Sequence, residues 1–246
     1  MINSIKTSLR KFEINKIRLR TLTFIVIFVL IFYCLLILSK WIDTNHFKDI
    51  QSEQDLSFLL NKLCFGAISF INIVVLNYVL SPMYSKEYEN SMEQIIKSTK
   101  NKKLLKTIKF GLGIRITLFY CLYIVFLNFI ISLSFAFALK FNVNLKEALT
   151  GSIIQIFSNI SAASIVLLIS NLSKNNLTSI IVSGILIFAP IMLPNNLILK
   201  YQFIFPVLSS NVGNYDVINY KTIFIVILTS IIYLIVSKKL VDTIEV

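Results

Sequence analysis

The sequence predicts an all-α, polytopic membrane protein, and its apolar content, its few charges and its long apolar segments are the reasons. Of the 246 residues, 56% are apolar and 15% are charged, and the mean hydropathy is +0.79. A soluble domain is about 45–50% apolar and about 25% charged. One globular core cannot hold this excess, which excludes a disordered chain, a disulfide-built secreted domain and most soluble enzymes.

Six segments approach the roughly 20 apolar residues that a membrane-spanning helix needs. They are residues 21–39, 57–80, 111–139, 151–172, 177–193 and 222–237. The sixth is short, but Lys221 at one end and Lys238 and Lys239 at the other can snorkel to the headgroups. We therefore expect one six-helix transmembrane domain over residues 21–246.

Residues 1–20 predict a separate element in front of this domain. Ile2, Ile5, Leu9 and Phe12 follow helical spacing, while Lys and Arg side chains fill the other faces. This pattern is typical of an amphipathic helix that lies on the inner leaflet. The same cations also act as a topology signal, and we expect both roles.

The charges are distributed unequally between the two sides of the predicted membrane domain. With six spans, 17 of the 24 Lys and Arg side chains lie on the side of the N terminus and seven on the other, while the 12 acids divide equally. Positive charge marks the cytoplasmic side. The sequence thus predicts that both termini are cytoplasmic, and that the net charge of +12 reflects topology and lipid contact, with no nucleic-acid partner.

Several kinds of chemistry lack the residues that they need. His46 is the only histidine, and every Asp and Glu lies outside the six apolar segments. A His-based metal site and a Ser/His pair are therefore excluded, and a proton relay within the membrane is disfavoured. No phosphate-binding G-x-x-x-x-G-K-[ST] loop is present. The three cysteines fall in different spans and act as small apolar residues. We expect no enzymatic activity and no cofactor in this chain.

Residues 81–109, between the second and third spans, predict a cytoplasmic helix. Ser81 before Pro82 is a helix-start signal, and acids precede Lys97 in the order that the helix dipole favours. An apolar stripe runs along it, formed by Tyr84, Tyr88, Met92, Ile95 and Ile96. Such a helix is suited to docking into a groove of a soluble protein. Its polybasic continuation, residues 100–109, is interpreted equally well as a contact with anionic lipids or with a partner.

The fourth span carries small and hydrogen-bonding residues along one face. Gly151, Gln155, Asn159 and Ala163 recur every four residues, with serines and Ala162 beside them. We use the name polar seam for the following residues: Gln155, Ser158, Asn159, Ala162, Asn72 and Asn128. Asn72, Asn77 and Asn128 of the second and third spans are candidates to hydrogen-bond it. The seam predicts either close helix packing or the wall of a translocation path or dimer interface.

Two segments and the topology resemble permease subunits of type-2 ATP-binding-cassette (ABC) exporters, which include bacteriocin-immunity and bacitracin-resistance proteins and other drug exporters. Residues 11–18 (KFEINKIR) are similar to the interfacial helix of that family. Residues 87–100 (EYENSMEQIIKSTK) are similar to its coupling helix after the second span. The six-span topology with a longer, partly apolar loop before the last span also fits.

The resemblance implies that this chain is a bacterial plasma-membrane subunit that exports an amphipathic peptide, antibiotic or lipid-like substrate. It implies two copies of a cytosolic ABC ATPase, which would bind ATP and Mg²⁺, and a second permease copy or a sister permease. Residues 194–221 would form an external re-entrant hairpin. The implied ATPase-coupling residues are Tyr84, Glu87, Tyr88, Glu89, Met92, Glu93 and Ile96.

Two other functions remain open on the sequence. The composition of this chain also suits a non-transporting membrane receptor or immunity protein that sequesters a toxin. A Na⁺-coupled carrier that uses backbone carbonyls would need no intramembrane acid.

Overall fold

The computed structural model describes residues 68–89, 102–139, 145–173, 175–189 and 220–243. The described residues are almost entirely helical, with no strand among them, and all belong to one compact unit, Glu53–Val246. The predicted interfacial helix 1–20, the first span 21–39 and the external hairpin 194–221 lie outside the described residues.

Six helices make up the described part of the chain. They are α1 Ile68–Leu80, α2 Pro82–Glu89, α3 Lys102–Leu139, α4 Leu145–Leu172, α5 Asn176–Phe188 and α6 Tyr220–Thr243. Asn175 caps α5, because its side chain accepts a hydrogen bond from the Leu177 N–H at 2.7 Å.

Within these ranges, three helices are long and apolar enough to cross a membrane: Lys106–Ile130, Ala148–Leu172 and Ile223–Thr243. Two shorter apolar helices, Ile71–Ser85 and Asn176–Phe188, accompany them. Large apolar side chains on α3, α5 and α6 point outward, among them Phe119, Ile185 and Phe224, each more than 60% exposed. This exposed apolar surface is what lipid contact requires, and it indicates a helical membrane protein.

The ends of several helices fall where the predicted spans end. α1, α3 and α4 end at Leu80, Leu139 and Leu172, the last residues of the second, third and fourth predicted spans. The start of α3 differs, because this helix begins at Lys102 and continues through Gly111 and Gly113. A glycine inside a helix lowers helix stability by about 1 kcal/mol relative to alanine. A helix of 38 residues that packs on its neighbours tolerates this loss.

The bundle is organised around α4, which packs against each of the other five described helices. Gly113 and Asn128 on α3 lie beside Leu167 and Gln155 on α4, respectively, so the two helices run antiparallel. Five side chains of α4 are completely buried: Ile154, Ala162, Ala163, Val166 and Leu167. Small residues allow several helices to approach α4 at once.

Candidate functional site

The chain changes direction between α1 and α2 at Ser81. The last backbone hydrogen bond of α1 joins the Ser81 N–H to the Asn77 carbonyl at 3.0 Å. Pro82 follows as the first residue of α2, where a missing N–H costs nothing because the first turn of a helix has no acceptor for it. Both Ser81 and Pro82 are buried, so this bend lies inside the protein.

The free N–H groups of α2 are capped by a residue of another helix. The N–H groups of Tyr84 and Ser85 donate to the Ser170 hydroxyl oxygen of α4 at 3.2 and 3.4 Å. The Ser170 hydroxyl in turn donates a hydrogen bond to the Ser81 carbonyl oxygen. The Ser81 hydroxyl, predicted as the cap, donates instead to Asn77 Oδ1 at 3.0 Å. A serine on α4 therefore holds the start of α2 and the end of α1 together.

Two side chains of α2 extend this junction to α3 and α5. The Tyr84 hydroxyl donates to the Lys106 carbonyl at 2.8 Å, and the ammonium of Lys109 lies 5.5 Å from the Tyr84 ring centre, within cation–π range. The Ser85 hydroxyl donates to the Ser81 carbonyl at 2.7 Å and lies 3.5 Å from Asn176 Oδ1, at the start of α5. We name these contacts around Ser81, Tyr84, Ser85 and Ser170 the Ser81 joint.

Asn77 connects α1 to α5 through hydrogen bonds next to the Ser81 joint. Its Nδ2 donates to the Ile180 carbonyl at 3.1 Å, and its Oδ1 accepts from the Ser183 hydroxyl at 2.6 Å. Gly184 allows this approach, since a Cβ there would lie 3.3 Å from the Asn77 amide nitrogen. Asn77 therefore hydrogen-bonds to α5. The sequence had suggested a hydrogen bond to the polar seam of α4 instead.

The same end of the bundle carries a contact between α3 and α6. The Thr107 hydroxyl donates to Asp242 Oδ1 at 2.9 Å. The starts of α2, α3 and α5 and the ends of α1, α4 and α6 thus meet at one end, the joint end.

The predicted coupling residues divide into three groups in the structure. Tyr84 is buried in the joint, where it is 3% exposed. Glu87, Tyr88 and Glu89 lie in the last turn of α2, and their side chains are outside the described set. The remaining three, Met92, Glu93 and Ile96, lie outside the described residues.

The polar seam is buried, and the structure brings part of it together. The seam residues are each at most 2% exposed: Asn72, Asn128, Gln155, Ser158, Asn159 and Ala162. Asn128 Nδ2 donates to Gln155 Oε1 at 3.0 Å between α3 and α4, and Asn159 Nδ2 donates to the Gln155 carbonyl at 2.8 Å. The Ser158 hydroxyl bonds to the Ile154 carbonyl of its own helix at 2.8 Å.

The amide groups of the seam are not all fully paired. Both amide atoms of Asn72 and the Oδ1 of Asn159 are buried without a hydrogen-bond partner in the described part of the chain. An unsatisfied buried polar group costs about 1–3 kcal/mol. Packing alone would favour apolar residues at these positions, so a polar interior is retained here at some expense in stability.

Close contact fixes α3 against α4 between the joint and the seam. A Cβ at Gly113 would lie 2.7 Å from both Leu167 methyl carbons, so only glycine fits there. The Thr117 hydroxyl bonds to the Gly113 carbonyl at 2.9 Å. Both Gly111 and Gly113 lie inside the continuous helix α3, and Gly113 is close-packed.

Comparison of the chain with protein-family models, with characterised proteins and with solved structures finds no match. Within the described ranges, no three His, Cys, Asp or Glu side chains are placed to hold a metal ion.

Sequence reasoning missed several residues that join the helices, namely Ser170, Ser183, Thr107 and Asp242. Serines at the ends of spans are common, and nothing in the local pattern shows that Ser170 caps a different helix. The close spacing of Gly111 and Gly113 was a usable signal, because glycine inside an apolar helix often marks a close approach.

Proposed function

We propose that this chain is the membrane-spanning permease subunit of an ABC exporter, driven by a separate cytosolic ATPase. The observation that carries the proposal is the Ser81 joint. It binds a short helix, α2, directly to α3 and α4 through Ser170, Tyr84 and Lys106. A displacement of α2 would therefore be transmitted to α3 and α4 directly through these hydrogen bonds.

The distribution of charge supports the same role. Glu87 and Glu89 lie in the last turn of α2 and Glu93 follows in the sequence, whereas the joint itself is built from neutral side chains and Lys109. In this proposal the acidic segment faces the ATPase, and the buried side of α2 faces the membrane helices. The joint end is then the cytoplasmic end, in keeping with the charge asymmetry of the six-span topology.

The proposed mechanism has two steps. ATP binding closes two copies of the ATPase, which hold ATP and Mg²⁺, and their closure displaces α2. Because Ser170 ties α2 to α4, and α4 packs on every other described helix, the displacement changes the packing of the whole bundle. The two arrangements of the bundle would expose the substrate path to opposite sides of the membrane.

The polar seam is the proposed wall of that path, formed with a second permease copy or a sister permease. Asn72 and Asn159 keep unpaired amide atoms in an apolar interior, as expected for groups that are paired only in another arrangement. An amphipathic peptide, antibiotic or lipid-like substrate offers both apolar surface and hydrogen-bonding groups. Antibiotic resistance or bacteriocin immunity is the biological role proposed, in a bacterial plasma membrane.

Co-purification from native membranes tests the proposal. The tagged chain should bring down vanadate-sensitive ATP hydrolysis, and the double variant Glu89→Lys/Glu93→Lys should lose it. The matched control is Glu147→Lys, a charge reversal in the first turn of α4, at the end of the bundle opposite the joint. If the hydrolysis is absent from the wild type, or unchanged in the double variant, the exporter assignment fails.

The same preparation separates the alternatives. Transport that survives ATP depletion while a sodium gradient is maintained would identify a Na⁺-coupled carrier. Toxin binding with neither ATP hydrolysis nor transport would identify a sequestering receptor or immunity protein.

A further inference from the structure

A single cation interrupts the outward apolar surface of α3. Arg115 is exposed, lies within the candidate span Lys106–Ile130, and has no carboxylate or hydrogen-bond partner among the described residues. Its neighbours on the outward surface are apolar and exposed: Ile108, Leu118, Phe119 and Leu122. An exposed arginine among lipid-facing side chains is costly unless its guanidinium reaches a polar partner.

The depth of Arg115 limits what that partner can be. Thr107 bonds to Asp242, so these two residues mark one level of the joint end. Arg115 lies eight residues further along α3, about 12 Å deeper at 1.5 Å per residue. Exposed Lys238 is four residues before Asp242 on α6, about 6 Å deeper than that level. Arg115 is therefore farther from the joint end than Lys238, and it lies inside the candidate span Lys106–Ile130.

The backbone around Arg115 leaves room for a ligand on the side toward the joint end. A helical side chain covers the turn that precedes its own Cα, so Arg115 extends toward Gly111 and the start of α3. Gly111 is exposed, and a Cβ added there would meet no atom within 4 Å. Open space therefore lies one turn from the Arg115 Cα, in the direction in which a snorkelling arginine reaches the headgroup region.

We propose that Arg115 and the open space beside Gly111 bind the phosphate of an anionic phospholipid from the leaflet at the joint end. A guanidinium presents a planar fork of donors that matches phosphate oxygens and binds them in a bidentate manner. The lipid tails would lie along Phe119 and Leu122, which are 75% and 62% exposed. This inference does not depend on transport, only on the placement of α3 in a bilayer.

Native mass spectrometry of the full-length protein released from nanodiscs tests the site, with phosphatidylglycerol and phosphatidylcholine as probes. The wild type should retain phosphatidylglycerol at least about tenfold better than phosphatidylcholine, because the choline cation of phosphatidylcholine neutralises its own phosphate and repels the guanidinium. Arg115→Gln should reduce this preference to within about twofold, and Gly111→Leu should reduce it with the charge kept. Inorganic phosphate at the same concentration should not displace the lipid, because it lacks tails.

Lys239→Gln is the matched control, since it removes one exposed positive charge at the same end and should keep most of the preference. Thermal unfolding in lipid-free detergent should be unchanged for Arg115→Gln, because the side chain is exposed. The proposal is overturned if Arg115→Gln retains phosphatidylglycerol as the wild type does, or if the wild type retains both lipids equally. It is also overturned if Arg115→Gln dissociates an oligomer without changing lipid retention, which would assign this surface to contact between copies.

Discussion

The Ser81 joint and the polar interior of α4 use similar residues in different ways. At the joint, hydroxyl and amide groups bond from one helix to another, as Ser170 does with α1 and α2 and Asn77 does with α5. In the interior, several serines bond to the preceding turn of their own helix, as Ser152 and Ser164 do. Bonds within one helix do not fix its neighbours.

This difference assigns separate mechanical roles to the two regions. A junction with several hydrogen bonds between helices moves as one body, because displacing one helix breaks its bonds to the others. In the described interior, bonds between helices occur at two places: Asn128 bonds to Gln155, and Ser230 of α6 bonds to Ser161 and to the Phe157 carbonyl. The packing between these places can slide at a smaller cost. Rigid attachment at one end with adjustable packing in the middle is the arrangement that energy-coupled alternation between two states requires.

The largest expected effect lies at the closest contact between α3 and α4. Gly113→Ala should lower the free energy of unfolding by about 1–3 kcal/mol, because the new methyl group meets both methyl groups of the buried Leu167. The matched control is Gly111→Ala in the same helix, which should raise the free energy of unfolding by about 0.5–1 kcal/mol. Thermal unfolding in one detergent measures both, and equal shifts would contradict the close contact.

The next effect compares two serines of α4. Ser170→Ala should cost about 1–2 kcal/mol, because the N–H groups of α2 lose their cap. Ser164→Ala should cost less than about 0.5 kcal/mol, since its hydroxyl bonds only to the Ile160 carbonyl of its own helix. Amide hydrogen exchange should accelerate in α2 for Ser170→Ala alone. Unchanged exchange in α2 would show that Ser170 does not hold this helix.

Two asparagines of α1 should respond in opposite directions. Asn77→Leu should destabilise the protein by about 1–3 kcal/mol, because it leaves the Ser183 and Ser81 hydroxyls without their Asn77 acceptor. Asn72→Leu should stabilise it by about 1 kcal/mol, since both amide atoms of Asn72 are buried without a partner among the described residues. Chemical unfolding in a constant micelle background measures the pair, and destabilisation by Asn72→Leu would disprove the idea that its amide is idle in this state.

The smallest expected effect concerns the link between α2 and α3. Tyr84→Phe removes one hydrogen bond, from the hydroxyl to the Lys106 carbonyl, and should cost about 0.5–1.5 kcal/mol while keeping the ring beside Lys109. Tyr78→Phe is the control, because Tyr78 is 48% exposed on α1. Thermal unfolding distinguishes them, and a larger shift for Tyr78→Phe would place the α2 to α3 link elsewhere.

Hydropathy and helix signals predicted much of the helical framework. The C-terminal ends of α1, α3 and α4 follow from where apolar runs stop, and burial of the seam follows from small and polar residues that share a face of α4. These features are local in sequence.

The joint could not be predicted, because it depends on residues far apart in the chain. Ser81 and Ser170 are separated by 89 positions, and either serine could cap a helix by its type alone. The helical start of α3 at Lys102 was missed for a different reason, since the lysines of residues 102–109 end the apolar run although the helix continues through them.

The most direct test of the account measures ATP hydrolysis and its dependence on the joint together. The tagged chain is purified from native membranes as wild type, as Ser170→Ala and as Ser164→Ala, and vanadate-sensitive hydrolysis is measured after reconstitution into vesicles. We predict that all three retain the bound ATPase, and that Ser170→Ala alone changes the rate by several-fold. No ATPase with the wild type, or equal rates in all three proteins, would contradict the claim that α2 transmits the energy of ATP through Ser170.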